Sequence, residues 1–572
     1  MLKFIRLRKP LNLIETLDFT KVPALEKLVL EDCIDLPGVH PSIGVHKNLK
    51  VVNLKGCKNL KSLPRKFEME SLEILILSGC SKVKKIPEFG EIMKRVRKLY
   101  LDSTAITKLP TSIEHLTGLT SLDLRDCKNL VCLPDAIFNF KLLKKVNISG
   151  CSKFDRLPEN LGNAENVEEL DVSGTAIRQV PSSIGLLKNL RGLSFKGCKG
   201  LSSTESNSWY EHLSFYSMPR NADPMDLLSS LLDLCSLTEL DVRDCNLKAI
   251  PNDIGCLFSL RNLYLCGNKF VSLPESISQL SNLRRMYVTN CTNLLSLPKL
   301  PSSIEGIQAD NCSSLEMLPD LLKPNNSLGP TWLTLQNCFK LTDNQGFIDM
   351  FVARIIKHLL LGLFRPRKMY QIVIPGSEIP EWFSHQSMGA EVNIKEPVHL
   401  CNEWMGIVAC YVFYQSHNNV CLNFYLIANG YHIFPIAGIG SDSEVLSDHL
   451  MLVYMSPSFY DATDMKFLWK CDANGFSRIG IRIQVNNPGL EVKKCGFRMV
   501  YKKDIEDLNR ITAQCRNNNI TPYEGIDVLL HNFDNSAVAE KGNKIKRSRD
   551  DYDGAGPSGE GSSNDIPNPK RI

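Results

Sequence analysis

The sequence predicts an α/β solenoid of parallel strands with a mostly irregular or 3₁₀ convex side, followed by an antiparallel β-sandwich. Three observations predict it. Leucine is uneven along the 572 residues, with 62 in residues 1–340 and 16 in residues 341–572. The pattern LxxLxLxxC recurs as far as Cys338, mostly at steps of 23 or 24 residues. From about Tyr370 the chain turns to short runs rich in aromatic and β-branched residues, separated by turn dipeptides such as Pro375-Gly376 and Asn429-Gly430.

Clear copies of the repeat are Leu49–Cys57, Leu72–Cys80 and Leu119–Cys127. Leucines two apart point to one side of a short strand, and the residues between them point to the other. One such unit cannot bury its leucines, but a stack of units can. This is the leucine-rich-repeat (LRR) pattern. Residues 1–341 are expected to hold about fourteen clear units. The step from Leu190 to Leu237 is two periods long, which predicts one further masked unit within a loop insertion over 202–236. An apolar residue followed by proline comes after each strand, as at Leu109-Pro110 and Leu273-Pro274. Proline fixes φ and gives up a donor, which suits a 3₁₀ return path.

Ten of the 20 cysteines fall on the ninth position of a unit: Cys33, Cys57, Cys80, Cys127, Cys151, Cys198, Cys245, Cys291, Cys312 and Cys338. Thr104, Thr175 and Asn268 fill the same slot elsewhere. These types share small size and hydrogen-bonding capacity, so the slot reads as a polar ladder under the strands. No C-x₂-C pair occurs, and neither zinc nor a disulfide framework is expected. A reducing cytoplasmic location follows. Sequons at Asn147, Asn290, Asn311 and Asn325 would suit an extracellular chain, but three of them already hold repeat positions. The N-terminus lacks the apolar core of a secretory leader, and no run is long enough to span a bilayer. Net charge is +5, which does not suggest bulk nucleic-acid binding.

Recognition on a solenoid falls to the residues between the leucines. Candidate partner-binding residues are Tyr100, Arg125, Asp171, Asp241, Arg243, Tyr264, Arg285, Tyr287 and Trp332. Tyr264, Arg285, Tyr287 and Trp332 gather in the C-terminal units, and Tyr, Trp and Arg are the types that anchor interfaces.

After Cys338 the leucine rule stops. Residues 342–369 read as a linker with a short basic amphipathic helix over Phe351–Phe364. Seven strands are expected in 370–510: Tyr370–Ile374, Glu391–Lys395, Trp404–Tyr414, Val420–Ile427, His449–Met455, Gly480–Val485 and Glu491–Lys502. Residues 511–572 read as a mostly disordered tail. Lys544, Lys546, Arg547 and Arg549, with Lys570 and Arg571, fit either a nuclear-import signal or a plain solvated tail.

Asn337-Cys-Phe-Lys-Leu341, followed by Val373-Ile-Pro-Gly-Ser-Glu-Ile-Pro-Glu-Trp-Phe-Ser-His-Gln-Ser387, resembles the post-LRR region of plant intracellular TIR-NB-LRR resistance receptors. The motif residues are Pro375, Gly376, Ser377, Glu378, Ile379, Pro380, Trp382 and Phe383. The resemblance covers essentially the whole chain. It implies that the second module is a C-terminal jelly-roll/Ig-like domain (C-JID). It also implies that LRR and C-JID together recognise a pathogen effector or a host protein, and that the LRR contacts a nucleotide-binding (NB-ARC) region. No G-x-x-x-x-G-K-[ST] phosphate loop and no TIR segment is present in these residues. The family's nucleotide switch and NAD-cleaving activity are therefore not carried over, and no cofactor is implied. A truncated product, a partial gene model and a non-signalling scaffold or decoy all remain open. No catalytic constellation is visible. His385 reads as a surface-turn histidine and Cys471 as a structural or free thiol. A ubiquitin ligase would need an F-box-like segment or a catalytic cysteine set, and neither appears.

Overall fold

The computed structural model describes residues 2–10, 12–199, 230–318, 331–342, 369–415, 422–437, 445–485, 489–504 and 506–510. The expected helix over 351–364, the tail beyond 510 and the sequon at Asn325 lie outside these residues. The LxL segments form short strands that pair in parallel, one per unit, from Phe4–Arg8 and Lys27–Glu31 through to Trp332–Thr334. Pairing keeps every repeat in register, so that Leu99, Leu122, Val146, Leu170 and Leu193 stand side by side. All five are 2% exposed or less. Each such burial contributes about 1.5–3 kcal/mol, which is how a stack of three-residue strands becomes stable.

Gly192–Ser194 pairs directly with Glu239–Asp241. The sheet therefore passes straight across the long step, and the expected masked unit places no strand between them.

The residue before each ninth slot turns the chain out of the strand. Gly56, Asp126, Asp244, Asn290, Asn311 and Asn337 hold φ between 56° and 73° there, the left-handed region open to Gly, Asn and Asp. The ninth side chain then reaches back to the preceding repeat. Cys57 donates to the Leu30 carbonyl at 3.2 Å, Cys151 to Leu124 at 3.1 Å and Cys338 to Ala309 at 3.0 Å. Thr104 bonds its own repeat at Leu101 and meets the Cys127 thiol at 3.3 Å. Asn268 does most: it donates to Val242 and Leu265 and accepts from the Leu247 N–H. Burial raises the Cys151, Cys245 and Cys291 thiols to about 12, so these donors stay protonated. The chain then returns through five-residue 3₁₀ turns, such as Thr111–His115, Ser182–Leu186 and Glu275–Gln279, each entered from a proline. Asn147, Asn290 and Asn311 all spend their amides inside this framework.

The border near residue 341 is not a break in the sheet. Trp332–Thr334 pairs in parallel with Met369–Pro375, which pairs antiparallel with His449–Met455 on its other side. That sheet continues through Trp404–Gln415 and Leu490–Tyr501 to His385–Met388. A second sheet orders Glu391–Pro397, Phe476–Val485, Leu422–Ala428 and Tyr431–Ala437. Tyr411, Phe413 and Phe497 of the first share one core with Phe424, Leu426 and Ile481 of the second. Two strands and the helix Ala462–Leu468 add to the seven strands expected.

A polar ladder reinforces the junction. Asn311 donates to the Asn290 side chain at 2.9 Å, and Asn337 to that of Asn311 at 2.6 Å. The Asn337 side chain then accepts from the Leu446 N–H at 2.9 Å. The Asn337 N–H donates to His449 Nε2 at 2.8 Å, while Nδ1 donates to the Ser447 carbonyl at 2.9 Å. His449 must therefore be neutral.

Two outcomes follow. Cys151→Thr is expected to be tolerated, whereas Cys151→Val, of similar shape but without a donor, loses about 1–2 kcal/mol in urea unfolding. Burial holds His449 below its ordinary value of 6.5, so the unfolded chain takes up this proton first. Its contribution is complete above about pH 6.5 and is lost as pH falls below that. The protection factors of the Asn337 and Leu446 amides, corrected for intrinsic exchange, should fall on acidification, and His449→Phe should flatten that dependence.

Candidate functional site

Repeat spacing places Tyr264 and Tyr287 at the same position of adjacent strands. Their rings stack at 4.8 Å with planes 8° apart. The Arg243 guanidinium lies 5.1 Å from the Tyr264 ring. It is aimed there by Asp241, which accepts from its Nε at 2.9 Å and from a terminal nitrogen at 2.6 Å. Trp332 extends the row, 6.0 Å from Tyr287.

Trp332 is not in the tyrosine register. It stands opposite Gly306, which stands opposite Arg285. A Cβ at Gly306 would meet Trp332 Cε2 at 1.8 Å. Only glycine there lets the indole lie across its neighbour strand toward Tyr287. The result is a row of Arg243, Tyr264, Tyr287 and Trp332, all four half-buried and none fully covered. Burial raises the Tyr264 phenol above its ordinary value. Stacked, partly dehydrated rings lose little further freedom when a partner covers them.

The other expected residues are placed apart from this row. Tyr100 is half-buried on Lys98–Tyr100, and Arg125 forms the same pair with Asp123 that Arg243 forms with Asp241. Asp171 accepts from the Asn147 amide at 3.2 Å and from the Ser173 N–H at 3.0 Å. Arg285 is exposed beside the row. Residue type at strand positions identified the rings, whereas Gly306 was missed. Its trace in the sequence is a glycine at a position held by Asn262 and Arg285 in the two preceding units.

The motif at 375–383 is structural. Pro375 closes the strand that joins solenoid to sandwich. Gly376 and Ser377 border a cleft with Phe339, Tyr414 and Lys493. Glu378 pairs with Lys494. Ile379, Trp382 and Phe383 are at most 8% exposed. Trp382 meets Phe383 edge to face, and Arg498 stacks on Trp382 at 4.3 Å while bonding Asp504 at 2.6 Å. The Phe383 N–H closes a turn on the Pro380 carbonyl. His385 and Cys471 are exposed, and the basic residues 544–571 lie outside the described residues. Among the described residues no group of His, Cys, Asp and Glu is set to hold a metal, and no helix is long and apolar enough to cross a membrane.

Gly306→Ala should displace the indole while costing less than about 1 kcal/mol, because Trp332 can swing toward solvent. The check is a loss of near-ultraviolet aromatic dichroism with the unfolding midpoint nearly unchanged.

Comparison with known proteins agrees with both halves of the fold. The C-JID domain matches residues 374–506. The leucine-rich repeats of "Disease resistance protein RPS4B-like" match 68–156, and the general Leucine Rich Repeat matches 236–257 and 259–280. Disease resistance-like protein DSC1 of Arabidopsis thaliana is 34% identical over 413 residues, covering 70% of this chain and 32% of the relative. TMV resistance protein N of Nicotiana glutinosa is 30% identical over 534 residues, covering 90% of this chain and 43% of the relative. Disease resistance protein RPS4B of Arabidopsis thaliana is 27% identical over 494 residues, covering 80% of this chain and 35% of the relative. The chain thus spans about a third to two fifths of the length of these relatives. By its leucine-rich repeats and its C-JID domain, the chain belongs with the plant TIR-NB-LRR disease resistance proteins.

Proposed function

We propose that this chain is the sensor region of a plant intracellular immune receptor. It binds a pathogen effector, or a host protein in its place, through the C-terminal half of the LRR concave face together with the C-JID domain. The observation that carries this reading is the row Arg243, Tyr264, Tyr287 and Trp332. Clustered Tyr, Trp and Arg supply most of the energy at protein interfaces, and here they are already stacked before a partner arrives. The row ends on Trp332–Thr334, the strand bonded to the first strand of the sandwich, so a partner covering Trp332 lies next to the second domain. Such a partner acts on signalling only by preferring one conformation of the whole receptor over another. An LRR contact with an NB-ARC region would supply that second conformation.

Biolayer interferometry against candidate effectors tests the reading. Once a binder is found, the triple change of Tyr264, Tyr287 and Trp332 to alanine should weaken it by about 2–4 kcal/mol, roughly thirtyfold to a thousandfold. Arg285→Ala should cost less than the triple change. Unchanged affinity in the triple variant would overturn the assignment.

A further inference from the structure

The outward face of the second sandwich sheet carries a groove of about 500 Å³. It is lined by Asn393 and Ile427, which stand opposite Gly480 on the two strands that flank it. A Cβ at Gly480 would meet the Asn393 side-chain oxygen at 2.1 Å, so the missing side chain at residue 480 is what lets Asn393 lie across the central strand.

Strand pairing builds the walls. On one side Lys395 stands directly opposite Arg478. On the other Glu391 stands opposite Arg482, and Arg482 opposite Tyr425. His432 sits across from Ile427 with its ring edge-on to Tyr425 at 5.4 Å.

The charges do not cancel. Glu391 is the one carboxylate among the lining residues. It is engaged by Arg482 at 2.7 Å and by the Asn393 amide at 2.9 Å. Lys395 and Arg478 are exposed, and neither forms an ion pair among the described residues. Asp472 feels both charges, but its oxygen first serves the backbone N–H groups of Phe476 and Asn474, at 3.1 and 2.9 Å. Two like charges directly opposite in an antiparallel pair are destabilising. The sheet therefore holds a repulsion that an incoming anion would relieve.

We propose that this groove is a binding site for an acidic segment of a partner protein, with Lys395 and Arg478 receiving its carboxylates. Two features select this class. Ile427 gives the groove an apolar element suited to side chains between the acids. Glu391 closes one wall with negative charge, which opposes a continuous polyphosphate backbone or an anionic membrane surface. The groove lies on a different sheet from the aromatic row, so the inference stands without the concave-face reading.

The test uses the full chain and a short fluorescent peptide alternating glutamate with valine, followed by anisotropy. A glutamine-for-glutamate peptide, phosphatidylserine vesicles and a single-stranded oligonucleotide serve as competing probes. The acidic peptide is expected to bind, and to weaken as salt rises. Lys395→Glu with Arg478→Glu should lower its affinity at least about tenfold, and Lys395→Gln with Arg478→Gln should do so by less. Both positions are exposed, so unfolding midpoints should hold. The alanine triple change at Tyr264, Tyr287 and Trp332 should leave peptide binding intact, which separates a failure here from a failure of the concave-face reading. Equal binding of the glutamine peptide, equal binding by the charge-reversed variant, absence of binding, or binding confined to vesicles or the oligonucleotide would each overturn the proposal.

Discussion

The solenoid depends on one hydrogen bond repeated. Where each strand ends, the chain turns sharply inward, and main-chain carbonyls such as Leu30 and Leu124 are left inside the stack. A buried carbonyl short of partners costs about 1–3 kcal/mol, a penalty that would recur in every unit. The ninth side chain meets it from the next repeat: Cys57 on Leu30, Cys151 on Leu124, Asn268 on Val242. The slot is too small for a long polar chain and too dry for a charge. Cysteine fits as a small apolar body with a weak donor, and burial keeps its thiol protonated. The cysteine content is thus a packing solution rather than a redox device.

A stack of parallel strands has ends, and an open end leaves both leucines and ladder groups uncovered. At the C-terminal end the sandwich is the cap. Its first strand takes the next place in the parallel ladder, with Ile372 opposite Leu333. The Leu335 N–H donates to Val373 at 2.9 Å. The asparagine ladder finishes on Leu446 and His449 in the same way that one repeat finishes on the next. The two modules are therefore joined by the kind of bond that holds the repeats together. This explains why Ile379, Trp382 and Phe383 of the motif are buried rather than displayed: they brace the sheet that does the capping.

How much of this was legible follows from where the information lies. The strands of the repeats could be read directly, because a fixed period repeats the same local rule. The Tyr264–Tyr287 stack was half legible, since equal spacing sets two residues in register but does not say that their rings face each other. Seven sandwich strands were visible as apolar alternation, several within a residue or two of their limits. His385–Met388 was missed because three of its four residues are polar and the strand is mostly exposed. Tyr431–Ala437 was missed because it carries a proline, as edge strands do. The helix Ala462–Leu468 was missed because it is short, although Asp461 and Asp464 form its capping box. The masked repeat was inferred from the length of one step alone, and the strands on either side of that step pair directly with each other. The meeting of Lys395 with Arg478 was invisible because pairing between distant strands creates it, and Gly306 left only the trace of a glycine at a position filled by larger residues in the two preceding units.

The aromatic row and the basic groove obey different physics. The row works by area: its rings gain when water leaves, salt hardly affects them, and their loss shows in the dissociation rate. The groove works by field: its cations act before contact, weaken as the Debye length shortens, and their loss shows first in the association rate. A partner that used only the row would bind slowly and stay. One that used only the groove would arrive quickly and leave. Because a continuous ladder ties solenoid to sandwich, neither surface must be ordered relative to the other at the moment of binding. A partner able to reach both would therefore keep most of the energy of the second contact. Ionic strength separates the two contributions, since raising it removes the groove's share and leaves the row's.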